Sequence, residues 1–231
     1  MKTIGLIGGM SWESTKHYYE LINEKIKEEL GGLHSAECIL YSVDFEVIKE
    51  LQFAGEWEKA GELLSATAIK LENAGADFII LCTNTMHISA DVIQRKITIP
   101  FLHIADPTAY QIKSEAKKTI GLLGTNFTME EDFYKGRLTQ EHGLEVIIPE
   151  EDDRKEIHRI IYDELCLGDI KLESKEKYKN IISKMAEKGA EGIILGCTEI
   201  GMLIKPEDVT LPLYDTTELH AFYAVKKALT E

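Results

Sequence analysis

The sequence predicts an α/β protein of two pseudo-symmetric lobes with mainly parallel sheets, and three observations carry that prediction. First, short apolar, β-branched runs alternate with longer amphipathic ones along the whole chain, the signature of parallel α/β architecture. Second, the chain is written twice. Thr3-Ile4-Gly5-Leu6-Ile7-Gly8-Gly9 returns as Thr119-Ile120-Gly121-Leu122-Leu123-Gly124-Thr125, and Thr98-Ile99-Pro100-Phe101-Leu102 returns as Thr210-Leu211-Pro212-Leu213-Tyr214. Between them Gly75-Ala76-Asp77-Phe78-Ile79-Ile80-Leu81-Cys82-Thr83-Asn84-Thr85 returns as Gly189-Ala190-Glu191-Gly192-Ile193-Ile194-Leu195-Gly196-Cys197-Thr198-Glu199. Third, no low-complexity segment or long Pro/Gly/Ser linker interrupts the chain, so short crossings between lobes are expected. Two related lobes can pack about a pseudo-twofold axis and face equivalent loops toward one cleft, and that cleft is where an active site is expected.

Taken in order, strands are expected at 3–8, 37–43, 77–82, 100–104, 119–124, 144–148, 191–196 and 211–214. Ser11 is suited to cap a helix whose apolar residues include Tyr19, Ile22, Ile26 and Leu30, stopped by Gly31-Gly32. Trp57, Ala60, Leu64, Ala68 and Leu71 keep the helical period before Gly75. Ligands of parallel sheets collect at the carboxyl ends of strands. Four loops qualify: Gly8-Gly9-Met10-Ser11, Thr83-Asn84-Thr85, Thr125-Asn126 and Cys197-Thr198-Glu199. Backbone N–H groups at helix starts there suit a small carboxylate.

Composition narrows the classes. A chain of 231 residues accommodates two modest domains. Its 26 basic and 40 acidic residues give a net charge of −14, which opposes nucleic acid and anionic membrane as partners. No apolar run approaches the roughly 18 residues of a membrane span. The N-terminus runs straight into a strand pattern without signal-peptide organisation, so a cytoplasmic location is the default expectation. Cys38, Cys82, Cys166 and Cys197 show no CxxC spacing, and in a reducing compartment they are expected as free thiols. The seven histidines include no HxxxH or Cys/His finger spacing, so no metal site is expected.

Gly5-Leu6-Ile7-Gly8-Gly9 is not GxGxxG, and Asp44 lies too far along to serve a ribose. These glycines read as a tight turn with close backbone approach. Cys197 follows an apolar strand and precedes an expected helix start, where a helix N-terminus favours thiolate relative to an unperturbed pKa of about 8.5. In the repeat register it falls opposite Thr83, which alone would read as a capping threonine. A hydroxyl and a thiol on opposite walls of one pocket suggest proton handling from both faces of one carbon. Cys82 matches Gly196 instead, and adjacent strand residues face opposite ways, so Cys82 reads as a packed core thiol. His87, four residues after Thr83, either orients polar groups or caps a surface.

With these residues assembled, the chain resembles the aspartate/glutamate racemase family of cofactor-independent amino-acid racemases over essentially its whole length. It looks closest to the branch of bacterial L-aspartate/glutamate-specific and broad-specificity enzymes. The resemblance rests on Gly8-Gly9-Met10-Ser11-Trp12-Glu13-Ser14, Thr83-Asn84-Thr85-Met86-His87 and Gly196-Cys197-Thr198-Glu199-Ile200. Where the family pattern has Cys-Asn-Thr-x-His, this chain has threonine in the first cysteine's place. The resemblance implies racemisation of L- and D-aspartate or glutamate without a cofactor, with Cys197 serving the L-enantiomer and Thr83 the opposite face, so that L-substrate is preferred. It implies that Met10, Gln52, Asn84, Thr85, Thr125 and Thr198 line the pocket and hold carboxylates. Glu199 is expected near Cys197, and Glu164 near the substrate ammonium. It further implies a first lobe of residues 1–98 plus 208–231, a second of 99–207, and a homodimer.

Two rival classes share the frame. Decarboxylases and isomerases of the same superfamily include members with a single catalytic cysteine. A non-catalytic amino-acid sensor would account for the threonine but not for the retained Cys197.

Overall fold

All eight expected strands form, within two residues of the predicted limits, and they sort into two separate sheets. In a computed structural model that describes residues 1–230, β1 (Ile4–Gly8), β2 (Cys38–Ser42), β3 (Phe78–Leu81) and β4 (Phe101–Leu102) build a sheet of order β2-β1-β3-β4. β5 (Thr119–Gly124), β6 (Glu145–Ile147), β7 (Ile193–Gly196) and β8 (Leu213–Asp215) repeat that order as β6-β5-β7-β8. Every pairing is parallel.

The strand register reproduces the repeat residue for residue. Gly5 pairs with Ile79 and Ile7 with Leu81, and their counterparts Gly121 with Ile193 and Leu123 with Leu195. Details outside the ladders recur too. The Asp77 carboxylate accepts from the Thr3 N–H at 2.6 Å, and the Glu191 carboxylate accepts from the Thr119 N–H at 2.8 Å. Ile79 N–H donates to the Pro100 carbonyl at 2.8 Å and Ile193 N–H to that of Pro212 at 2.9 Å. A Cβ on Gly5 would meet the Ile79 Cδ1 at 2.6 Å, and one on Gly121 would meet that of Ile193 at the same 2.6 Å. These two glycines let a neighbouring isoleucine cross the sheet surface.

The first unit comprises Met1–Ile104 and the chain from His220 onward. It carries α1 (Trp12–Leu30), α2 (Phe45–Phe53), α3 (Trp57–Asn73) and α4 (Ala90–Gln94). The second, Ala105–Leu219, carries α5 (Ala105–Ser114), α6 (Asn126–Glu130), α7 (Asp132–Gln140), α8 (Glu151–Asp163), α9 (Leu172–Glu187) and α10 (Ile200–Leu203). α11 (Thr216–Leu229) begins in the second and ends in the first. The expected division at 98/99 and 207/208 is corrected by strand pairing. β4 joins β3 in the first sheet and β8 joins β7 in the second, because each repeat needs its own fourth strand to cover β3 or β7.

Strands buried on both faces explain their continuous apolar runs. In the first unit Ile4, Leu6, Phe78, Ile80 and Cys82 pack with Tyr18, Ile22, Ile26, Ala221, Ala224 and Val225. On the other face Ile7, Ile79 and Leu81 pack with Ile48, Ala60, Leu64, Ala68 and Leu71. Cys82 is therefore a core thiol, as alternation predicts. The stripe of α1 is corrected by one position. Tyr18 rather than Tyr19 is buried, and Leu30, in the last turn, is exposed, since Tyr18, Ile22 and Ile26 form the i, i+4 row that meets the sheet. Ser11 caps α1 by accepting from the Ser14 N–H, and Gly31 ends it at φ +70°. Among the described residues no helix is long and apolar enough to cross a membrane.

Candidate active site

Each sheet has one topological switch point, between β1 and β3 in the first and between β5 and β7 in the second, where the chain leaves a central strand toward opposite edges. Side chains at the carboxyl ends of such a strand pair border a crevice. In the first unit those ends carry Gly8-Gly9-Met10-Ser11 and Thr83-Asn84-Thr85; in the second they carry Thr125-Asn126 and Cys197-Thr198-Glu199. Thr83 and Cys197 stand two residues beyond Leu81 and Leu195, which are equivalent in the ladders.

In the first unit the β1 loop is tightly held. Gly9 adopts φ +97°, and a Cβ there would lie 2.2 Å from the Val43 carbonyl oxygen. The Gly9 N–H donates to Thr15 Oγ1 at 2.8 Å, and that hydroxyl donates to the Ser11 carbonyl at 2.8 Å. The glycines thus serve close backbone approach. Met10, Gln52, Asn84 and Thr85 are all buried, while Thr83 keeps partial exposure. Gln52, on α2, donates from Nε2 to the Met86 sulfur at 3.0 Å, and its buried Oε1 has no hydrogen-bond partner among the described residues. Buried acceptors left this way are uncommon and costly.

In the second unit Thr125 caps α6, accepting from the Thr128 N–H at 3.3 Å, and Thr198 pairs with the Thr217 hydroxyl at 2.9 Å. The part-buried Cys197 donates from Sγ to Glu199 Oε2 at 2.9 Å. The helix expected to start at Thr198-Glu199 has Glu199 as its N-cap residue, and α10, from Ile200, is only four residues long. Burial, and then the Glu199 carboxylate, hold the Cys197 thiol well above its ordinary value. Its resting form is therefore the thiol, not the thiolate that a long helix would favour.

Glu164 follows α8 and has protein partners of its own. Its carboxylate is buried, accepts from Ser174 Oγ at 2.6 Å and pairs with Arg159 Nη1 at 2.9 Å. Burial pushes its pKa up, but Ser174 and Arg159 outweigh that and leave it lowered. Both oxygens have partners that tie the end of α8 to α9. The sequence reading also missed Tyr162 and Tyr178, whose phenols are pushed up first by burial and next through their coupling to the nearby Cys197 as it ionises. Only folding brings these helical tyrosines near the thiol. Elsewhere in the second unit ligand atoms of Asp106, Glu141 and His142 lie within 4.8 Å of one another. Arg137 occupies that cluster, with Nε 2.6 Å from Asp106 and Nη1 3.1 Å from Glu141.

The fold is thus a duplicated parallel α/β unit whose two switch points present a hydroxyl and a thiol at equivalent positions. The profile of the Asp/Glu/hydantoin racemase family matches residues 7–224. A crystal structure described as a candidate Asp/Glu racemase from Yersinia pestis is 54% identical, covers 100% of both chains and superposes with a TM-score of 0.95. An aspartate racemase homologue from Pyrococcus horikoshii OT3 is 37% identical over 100% of both chains, with a TM-score of 0.87. The broad specificity amino-acid racemase RacX of Bacillus subtilis is 23% identical over 217 residues, 93% of this chain and 92% of RacX. The chain belongs to the Asp/Glu/hydantoin racemase family and is an enzyme of that isomerase class.

Proposed function

We propose that the protein interconverts L- and D-aspartate or glutamate by cofactor-independent proton transfer at Cα, with Cys197 acting on the L-enantiomer and Thr83 on the opposite face. The observation that carries this reading is the shared register that makes Thr83 and Cys197 counterparts, one from each repeat. Glu199, hydrogen-bonded to the Cys197 thiol, takes the sulfur's proton. The thiolate then removes the α-proton, the C–H electron pair stays on the carbon, and Thr83 Oγ1–H reprotonates the planar intermediate from the other side; solvent water then returns a proton to the Thr83 oxygen, and the hydroxide formed takes the proton held by Glu199. Met10, Asn84, Thr85, Thr125 and Thr198 hold the substrate. The unpartnered Oε1 of Gln52 suits a donor, and the α-ammonium is the donor such a substrate offers.

A hydroxyl gives up a proton far less readily than a thiol, so abstraction from the D-enantiomer by Thr83 is the slow direction. The two enantiomers have equal free energy, so net interconversion has the same kcat/KM both ways. The preference for L-substrate is therefore expressed as faster α-proton exchange with solvent from L than from D.

The test is α-proton exchange in D2O, followed by NMR, with L- and D-aspartate and glutamate. Wild type is expected to lose the L-substrate signal, Cys197→Ala to lose no signal, and Thr83→Cys to exchange D-substrate faster than wild type. Silence from all four substrates sinks the acidic-amino-acid reading, and CO2 release from a malonate would then favour the decarboxylase branch. Binding of aspartate without exchange, unchanged in Cys197→Ser, would favour a sensor. A homodimer in the cytoplasm is the assembly and setting proposed with it, the former read by light scattering.

A further inference from the structure

His87 lies on the 3₁₀ turn Thr85–Ser89 that follows β3 and is 1% exposed. Both its ring nitrogens are spent on backbone atoms. Nδ1 is 2.8 Å from the Thr83 carbonyl oxygen, and the Ile104 N–H points to Nε2 at 3.2 Å. A carbonyl can only accept and an amide N–H can only donate. The two bonds together therefore demand the neutral ring with its proton on Nδ1. The surroundings agree. The ring faces His103 at 4.7 Å, Phe101 at 5.5 Å and His220 at 5.8 Å between centroids. His220 is itself tied to the Tyr18 hydroxyl at 2.9 Å and the Leu102 carbonyl at 3.1 Å. Burial, and then His220, push the His87 pKa down to about 3.

We propose that His87 is the positioning residue for Thr83: its Nδ1–H grips the Thr83 carbonyl while Nε2 anchors that grip to the chain leaving β4. Thr83 is β-branched and has few χ1 choices, so fixing its backbone narrows where Oγ1 can point. Proton delivery to a planar carbon needs that precision. Among the described residues the other repeat has no histidine at the matching position. Four residues past Cys197 stands Gly201, where a Cβ would meet Asp215 Oδ2 at 2.7 Å. The anchor belongs to the repeat whose acid is a hydroxyl.

This role rests on the racemase reading above, and the experiment separates the two. On L-aspartate in D2O, inversion to the D-form requires Thr83, whereas exchange with retention requires only the Cys197 side. His87→Phe keeps a ring and loses both bonds; His87→Asn keeps an N–H able to reach the carbonyl. His87→Phe is expected to slow inversion about tenfold or more while exchange with retention stays within about threefold. His87→Asn is expected to recover part of the inversion. Equal loss of both rates, or full inversion in His87→Phe, overturns the assignment. Silent wild type removes the racemase reading and this role with it, whereas active wild type with parallel losses removes only the role. Imidazole ¹⁵N spectra of wild type give a second test. The Nδ1–H tautomer should persist without titrating from about pH 5 to 9, and an Nε2–H tautomer or a titration in that range overturns the proposal.

Discussion

At the scale of the residue, Cys197 carries the sharpest contrast between expectation and environment. Its thiol is held protonated by burial and by the Glu199 carboxylate beside it. Removing that charge in Glu199→Gln should lower the thiol pKa, so alkylation by iodoacetamide should shift to lower pH. Racemisation should fall in the same variant, because the proton acceptor is lost. Faster alkylation with undiminished racemisation would leave Glu199 an electrostatic neighbour only. Cys82 and Cys197 both bind their protons more tightly when folded. Their contribution to stability is complete below the unfolded thiol pKa of about 8.5 and is lost as pH rises through the folded values. The urea midpoint should therefore fall on the alkaline side, and less steeply in Cys197→Ala. Gln52 makes the opposite exchange of stability for function. Gln52→Met removes a buried unpartnered acceptor, a burden of about 1–3 kcal/mol. Melting temperature should hold or rise, while KM for L-substrate should rise about tenfold if one charged hydrogen bond is lost.

At the scale of the element, the loops at the strand ends matter more than the helices behind them. The β1 loop folds back on the end of β2, with Gly9 at φ +97° against Val43 and the Val43 N–H donating to the Gly8 carbonyl at 2.9 Å. Gly9→Ala meets both an unfavourable backbone region and a clash with main chain. It should cost at least about 2 kcal/mol, read as a lower urea midpoint, with loss of activity beyond the unfolded fraction because Met10 and Ser11 shift. Gly31→Ala is the comparison. Gly31 has φ +70° but nothing within 4 Å of a new Cβ, so stability should fall less and activity should persist. α10 is too short at four residues to sum a macrodipole of useful size, and the protonation of Cys197 is left to its immediate neighbours.

At the scale of the whole molecule, the last helix completes the first unit from the far end of the chain. Ala221, Ala224, Val225 and Ala228 are at most 2% exposed in its core, and His220 closes on Tyr18. Truncation after Leu219 should therefore leave the first unit unfolded or molten, seen as collapsed dispersion of its amide signals. The second unit, Ala105–Leu219, should keep native shifts in the same spectrum. Loss of both sets of signals would show that neither unit stands without the other.

Much of this was legible in the sequence itself. Periodicity determined eight strands, and the internal repeat determined that Thr83 and Cys197 are counterparts, because a strand's register follows directly from residue count. Gly9 as a close-approach glycine and Cys82 as a core thiol follow from the same local rules. Only the tertiary structure decided what surrounds those positions. β4 and β8 exchange places relative to the expected division because pairing partners lie far apart in sequence. Glu164 gains Ser174 and Arg159 as partners, which reach it only after folding. The Cys197 thiol is raised rather than lowered, since desolvation and the aim of the Glu199 side chain depend on the packed neighbourhood. His87 acquires its grip on Thr83 from a backbone turn and an Ile104 N–H that no spacing rule reveals. Periodicity is written by neighbours along the chain, whereas burial and hydrogen-bond direction are set by neighbours in space.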